Sequence, residues 1–190
     1  MKHKNRTKDI VYTAIFVALM IIFTLFVSIP FYPVPLTFQT VICIMSGLIA
    51  GAKRGAAAMA IYVFIGLVLG MPVFSGGKGG FSAALSPTFG YIVGFTPAAA
   101  IAGLVRGKTP CASLPRYIAA AAAAFLVCYT AGTSYFLIFW KYYMGNSDVW
   151  YAALAFNIAY MPKDAILSLA AACAANKLAP KLFADKDRVS

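Results

Sequence analysis

Apolar residues fall in six long blocks, at about 10–29, 36–51, 55–71, 88–105, 117–140 and 150–176, and nearly all the charged residues lie between the blocks or at the two ends. A bilayer crossing takes roughly 20 consecutive apolar residues in a helix. The second and third blocks are short for a perpendicular crossing, and the sixth is long enough to cross at a tilt. The pattern predicts an all-α integral membrane protein, a single transmembrane domain over 1–190 with six transmembrane helices and short connections. The first block follows a basic tail, as in a signal peptide, but it is longer than a typical h-region and no small-x-small cleavage site follows. It is expected to stay as an uncleaved first helix.

Composition agrees with the pattern. Of the 190 residues, 62% are hydrophobic and 11% charged, against about 45–50% and about 25% in soluble domains. The net charge of +11 would suggest nucleic acid in a soluble chain, but here the distribution of the charge explains it. Lys2, Lys4, Arg6 and Lys8 precede the first block, Lys53 and Arg54 follow the second, and Arg106, Lys108 and Arg116 follow the fourth. Lys177, Lys181, Lys186 and Arg188 follow the sixth. With six crossings all of these fall on one side, and only Lys78 and Lys141 fall on the other. The positive-inside rule then puts both termini in the cytoplasm, and no nucleic-acid partner is expected. Cys43, Cys111, Cys128 and Cys173 make no CxxC pair, and His3 is the sole histidine, so neither a disulfide framework nor a metal site is expected.

Small residues mark where helices can approach closely, because lipid gives helices no hydrophobic drive to associate. Ala14 and Ala18 share a face four residues apart, which suits either internal packing or docking of another membrane protein. Ala119 to Ala124 gives the fifth helix a smooth side. The outer connections hold the unusual residues. The first contains Pro30, Pro33 and Pro35, which favour a stiff extended segment or the start of the second helix. The second reads Gly70-Met-Pro-Val-Phe-Ser-Gly-Gly-Lys-Gly-Gly80, with two glycines on each side of Lys78. Consecutive backbone amides in such a turn can form an anion-binding concavity, so Gly77, Lys78 and Gly79 are candidates to hold a carboxylate; a solvated loop is the alternative. It is not a nucleotide phosphate loop, because Pro72 stands at the first glycine position and Gly79 where a hydroxyl residue is needed.

The sixth block carries Asn157, Pro162, Lys163 and Asp164 within an apolar run. An acid at mid-membrane costs about 2.5–3.5 kcal/mol on insertion scales, so it normally faces a cavity or a partner. Pro162 is expected to kink the helix and free nearby carbonyls. Asn157 and Asp164 lie two turns apart on one face. Lys163 and Asp164 are adjacent and point about 100° apart, so they are not expected to neutralise each other as an i, i+4 pair would. Enzyme chemistry finds little support: the chain has no Glu, and Asp9, Asp148, Asp185 and Asp187 all lie outside the blocks. A polar ligand site is favoured, and an importer of this size would need an outside source of energy.

On Pro33-Val-Pro-Leu-Thr-Phe-Gln39, the glycine-rich segment, Ser86-Pro-Thr-Phe-Gly-Tyr91 and Pro162-Lys-Asp164, the chain resembles the BioY family, the biotin-specific S components of energy-coupling factor (ECF) transporters. The resemblance implies a six-helix S-component fold in the plasma membrane with biotin as transported substrate, no cofactor, and a site near the outer face. It also implies an ECF transmembrane coupling protein, met by Ala14 and Ala18, and two ATPase subunits that supply energy. Asp164 matches the acid that family members place near the ureido ring. Lys78 with the glycine amides would take the valerate carboxylate, Gln39 and Asn157 would complete the polar set, and Phe74 and Tyr91 would wall the bicycle. Leu167 stands where family members carry a lysine, leaving Lys163 as the substitute; Ile92 and Tyr129 replace an arginine and an aspartate of some members. Alternatives are an S component for thiamine or riboflavin, and a structural membrane subunit without a ligand.

Overall fold

The computed structural model describes residues 2–27, 37–107, 109 and 112–183, with the side chains of 2–5 and 183 outside that description. Pro30, Pro33, Pro35, Lys108, Cys111, Lys186 and Arg188 lie outside it. The described chain is helical: α1 Lys2–Leu25, α2 Gln39–Ala50, α3 Ala52–Leu67, α4 Phe89–Arg106, α5 Leu114–Tyr142 and α6 Val149–Phe183, with a short 3-10 turn at Phe81–Leu85. The helices match the six apolar blocks, with shifted ends. α1 starts within the polar tail, and α6 runs unbroken through Pro162 and Pro180.

Four helices, α1, α4, α5 and α6, are long and apolar enough to cross a membrane. α2 has 12 residues and α3 has 16, about 18 and 24 Å at 1.5 Å per residue. These two fall short of the roughly 30 Å hydrocarbon core. α2 is instead the core helix, with ten of its twelve residues buried; it packs on α1, α3, α4, α5 and α6.

Close packing here depends on small side chains. A Cβ on Gly47 would overlap the Ala99 carbonyl and the Ala102 side chain, and one on Gly103 would overlap the Ala52 backbone. Ala120, Ala121 and Ala124 are buried, so half of the alanine stretch on α5 packs inward. Ala14 and Ala18 do not; both are exposed. α2 and α3 are joined by Gly51 alone, at φ 86°, a left-handed conformation that glycine adopts without steric cost.

The buried Arg106 locks this joint. Its guanidinium donates to the Leu48 carbonyl at 2.9 Å and to that of Ile49 at 3.4 Å, satisfying carbonyls at the end of α2 that have no helical partner. At the same end of the molecule Arg54 pairs with Asp9 and lies over the Tyr12 ring. Asn176 of α6 donates to the Ala112 carbonyl at 3.0 Å. The start of α1, the α2–α3 joint, the α4–α5 joint and the last turns of α6 therefore meet at one basic end.

Candidate functional site

At the other end lies a cavity formed by the first turn of α2, the hairpin after α3, and α4, α5 and α6. Thr37, Gln39, Thr40, Ser75, Thr88, Lys163 and Asp164 supply its polar side, while Tyr91, Ile92, Phe95, Tyr129, Phe156 and Tyr160 supply its aromatic and apolar walls. The rings brace one another: Tyr91 meets Tyr129 edge-on at 5.3 Å, and Phe156 stacks on Tyr160 at 4.5 Å. Such T-shaped and offset contacts fix ring positions beyond what area burial does.

Asp164 is the centre of the polar side and only 6% exposed. Its Oδ2 accepts from Thr40 Oγ1 at 3.0 Å and from the Tyr129 hydroxyl at 2.9 Å. Lys163 Nζ stands 2.8 Å from Oδ1, so the two adjacent residues do pair, contrary to the expectation from their helical directions. A lysine has a four-carbon stem that can curl back across the helix surface. The same ammonium donates to the Thr37 carbonyl at 2.5 Å and lies over the Phe38 ring, which ties α6 to the segment entering α2. Despite the ammonium, Oδ1 accepts no well-aligned hydrogen bond among the described residues. Asp164 lines the cavity, and a carboxylate, with about four lone-pair sites, can accept from a ligand N–H beside these partners.

Gln39, Tyr91, Lys163 and Asp164 are the sequence candidates that line the cavity. Gln39 is already committed: its Nε2 donates to the Tyr62 hydroxyl at 2.8 Å and its Oε1 accepts from Thr37 Oγ1 at 2.9 Å. Asn157 stands behind the wall, with its Oδ1 accepting from the Tyr91 hydroxyl at 2.9 Å and its Nδ2 3.1 Å from Thr133 Oγ1. It positions Tyr91 and does not line the cavity.

The glycine-rich segment departs furthest from expectation. It forms a hairpin in which Phe74 pairs with Lys78. The amides of Gly77 and Lys78 both donate to the Phe74 carbonyl, at 3.0 and 3.3 Å, and so are spent on the turn and unavailable to an anion. Gly76 and Gly77 both have positive φ, the backbone this turn needs. Gly79 is close-packed on the Met71 and Gly70 carbonyls. Lys78 is exposed and, like Gly77 and Gly79, absent from the lining. Phe74 is no cavity wall either; it is 1% exposed in the core, against Tyr62 and Phe89.

Thr37, Thr40, Ser75, Thr88, Phe156 and Tyr160 line the cavity without having been singled out as ligand contacts. A signal for two of them was present: Phe156, Tyr160 and Asp164 recur every four residues on α6 and so share one face. Thr40 carried no such mark, because its role depends on α2 meeting α6.

Fold and cavity together define a helical membrane protein with a polar, aromatic-walled cavity near one end. A sequence model of the BioY family matches residues 1–183, and the chain belongs to that family. It is 32% identical over 180 residues to the biotin transporter BioY of Rhizobium etli, covering 87% of this chain and 90% of that one. To the biotin transporter BioY of Thermotoga maritima it is 35% identical over 125 residues, or 66% of this chain and 72% of that one. The fold matches a crystallised S-component for biotin from an ECF-type ABC transporter, with a TM-score of 0.75 and 22% identity over 94% of each chain. The chain is thus a multi-pass membrane protein of a transporter family.

Proposed function

We propose that this chain captures biotin at the outer face of the plasma membrane and is the S component of an ECF-type importer. The observation that carries the reading is the buried Asp164 carboxylate lining an aromatic-walled cavity. Biotin's fused rings carry a ureido group with two N–H donors beside apolar carbon and sulfur. A carboxylate can accept those donors in charge-assisted bonds, while Tyr91, Tyr129, Phe156 and Tyr160 cover the apolar edges. Lys163 is the one cation in the lining, and its ammonium stands against the Asp164 carboxylate. The names of the relatives from Rhizobium etli and Thermotoga maritima support the same substrate.

The six helices are read as membrane-embedded together, with α2 and α3 shielded by longer neighbours. The basic end is cytoplasmic by the positive-inside rule, which puts both termini inside and the cavity outside. The exposed groove between α1 and α3, lined by Ala14, Val17, Ala18, Ala57 and Ile61, is read as the docking face for the ECF coupling protein, with two ATPase subunits beyond it.

Thermal unfolding of detergent-purified protein tests the substrate. A ligand that binds only the folded state stabilises it by about 4 kcal/mol at a thousand times its dissociation constant. Biotin is expected to raise the midpoint, whereas thiamine and riboflavin are not. A rise with either of those vitamins and none with biotin would replace the substrate.

A further inference from the structure

We infer that the Ser75 hydroxyl is a hydrogen-bond donor to the ligand in this cavity, and that the glycine-rich hairpin exists to present it there. The inference rests on the biotin reading and adds a contact to it. Ser75 lines the cavity. Its Oγ is buried and has no hydrogen-bond partner among the described residues. Buried hydroxyls almost always find a partner, so an orphan in a ligand cavity calls for one from outside the chain.

The hairpin around Ser75 is held as a rigid mount. The Tyr62 hydroxyl donates to the Val73 carbonyl at 3.0 Å and itself accepts from Gln39 Nε2. The Phe74 ring sits against Gly66, where a Cβ would overlap it, and the Gly80 amide donates to the Gly66 carbonyl at 2.7 Å. Phe74 is thereby driven into the core, Gly76 and Gly77 make the turn, and Lys78 is exposed outside the cavity lining. Ser75, between the buried ring and the turn, is left on the cavity side. A hydroxyl fixed before the ligand arrives loses little freedom on binding.

The test is biotin affinity of the full-length, detergent-purified protein, measured by titration calorimetry for wild type, Ser75→Ala and Ser75→Cys. Loss of one neutral hydrogen bond corresponds to about three- to tenfold weaker binding. Ser75→Ala is expected to show that loss while its ligand-free thermal midpoint stays the same or rises, because an orphaned group has been removed. Ser75→Cys, with its weak S–H donor, should fall between the two, and it carries the test if the alanine variant fails to fold. Repeating the titration with biotinamide assigns the acceptor. An undiminished loss points to the ureido carbonyl and a reduced one to the carboxylate. Wild-type affinity in both variants overturns the inference, as does a ligand-free midpoint that falls in step with affinity. If wild type itself fails to bind biotin, the substrate reading has failed and this contact goes with it.

Discussion

Asp164 combines burial, an ammonium 2.8 Å from Oδ1 and two hydroxyl donors on Oδ2. A buried carboxylate is costly unless paired and hydrogen-bonded, and a carboxylate offers more acceptor sites than the ammonium and two hydroxyls fill. Hydrogen bonds to charged groups are worth about 1.5–3 kcal/mol each, so two ligand N–H groups on this carboxylate would dominate the affinity. Asp164→Ala is expected to remove that affinity and leave a folded protein, because Lys163 keeps the Thr37 carbonyl as a partner. Asp164 could be found in the sequence because an acid inside an apolar run is costly wherever it points. The glycines around Lys78 were ambiguous, because they look alike whether their amides serve an anion or close their own turn. The Phe74 carbonyl decided between those two possibilities, and only folding brings it to Gly77 and Lys78.

Among the helices, glycine and alanine set how near the cavity walls can stand. Gly132 on α5 is where the Tyr91 ring of α4 rests, and a Cβ there would overlap that ring. Tyr91 lines the cavity and is fixed from behind by Asn157. Gly132→Val should therefore displace Tyr91, at an overpacking cost of about 1–3 kcal/mol. A lowered thermal midpoint together with weakened biotin binding is expected, with Gly132→Ala intermediate in both; unchanged binding in the valine variant would free Tyr91 from its assigned place. The helices were legible from the apolar blocks because lipid demands a long apolar run for each long helix. Their ends were less so. The polar start of α1 is helical although no apolar pattern marks it, and α6 runs to Phe183, beyond the apolar block that ends near 176. The core position of α2 was not legible at all, since burial among five other helices leaves no sign in a twelve-residue apolar segment.

For the whole molecule, the basic joints gather at one end and the cavity lies at the other. The sequence shows this polarity in its charge distribution, and the contacts of Arg54, Arg106 and Asn176 give it a physical basis. The α1–α3 groove at the basic end exposes Ala14 and Ala18 and shares no lining residue with the cavity that holds Asp164. Ala18→Arg should leave biotin affinity in detergent unchanged and abolish energised uptake of labelled biotin by cells that supply the coupling protein and ATPases; normal uptake would move the docking face elsewhere. The claim on which the rest depends is that Asp164 binds the ligand. The direct measurement is equilibrium binding of radiolabelled biotin to purified wild type and Asp164→Ala whose ligand-free thermal midpoints agree. The account predicts tight binding by wild type and a loss of about 100-fold or more in the variant, the equivalent of two charge-assisted bonds. Equal affinity of the two proteins would contradict it.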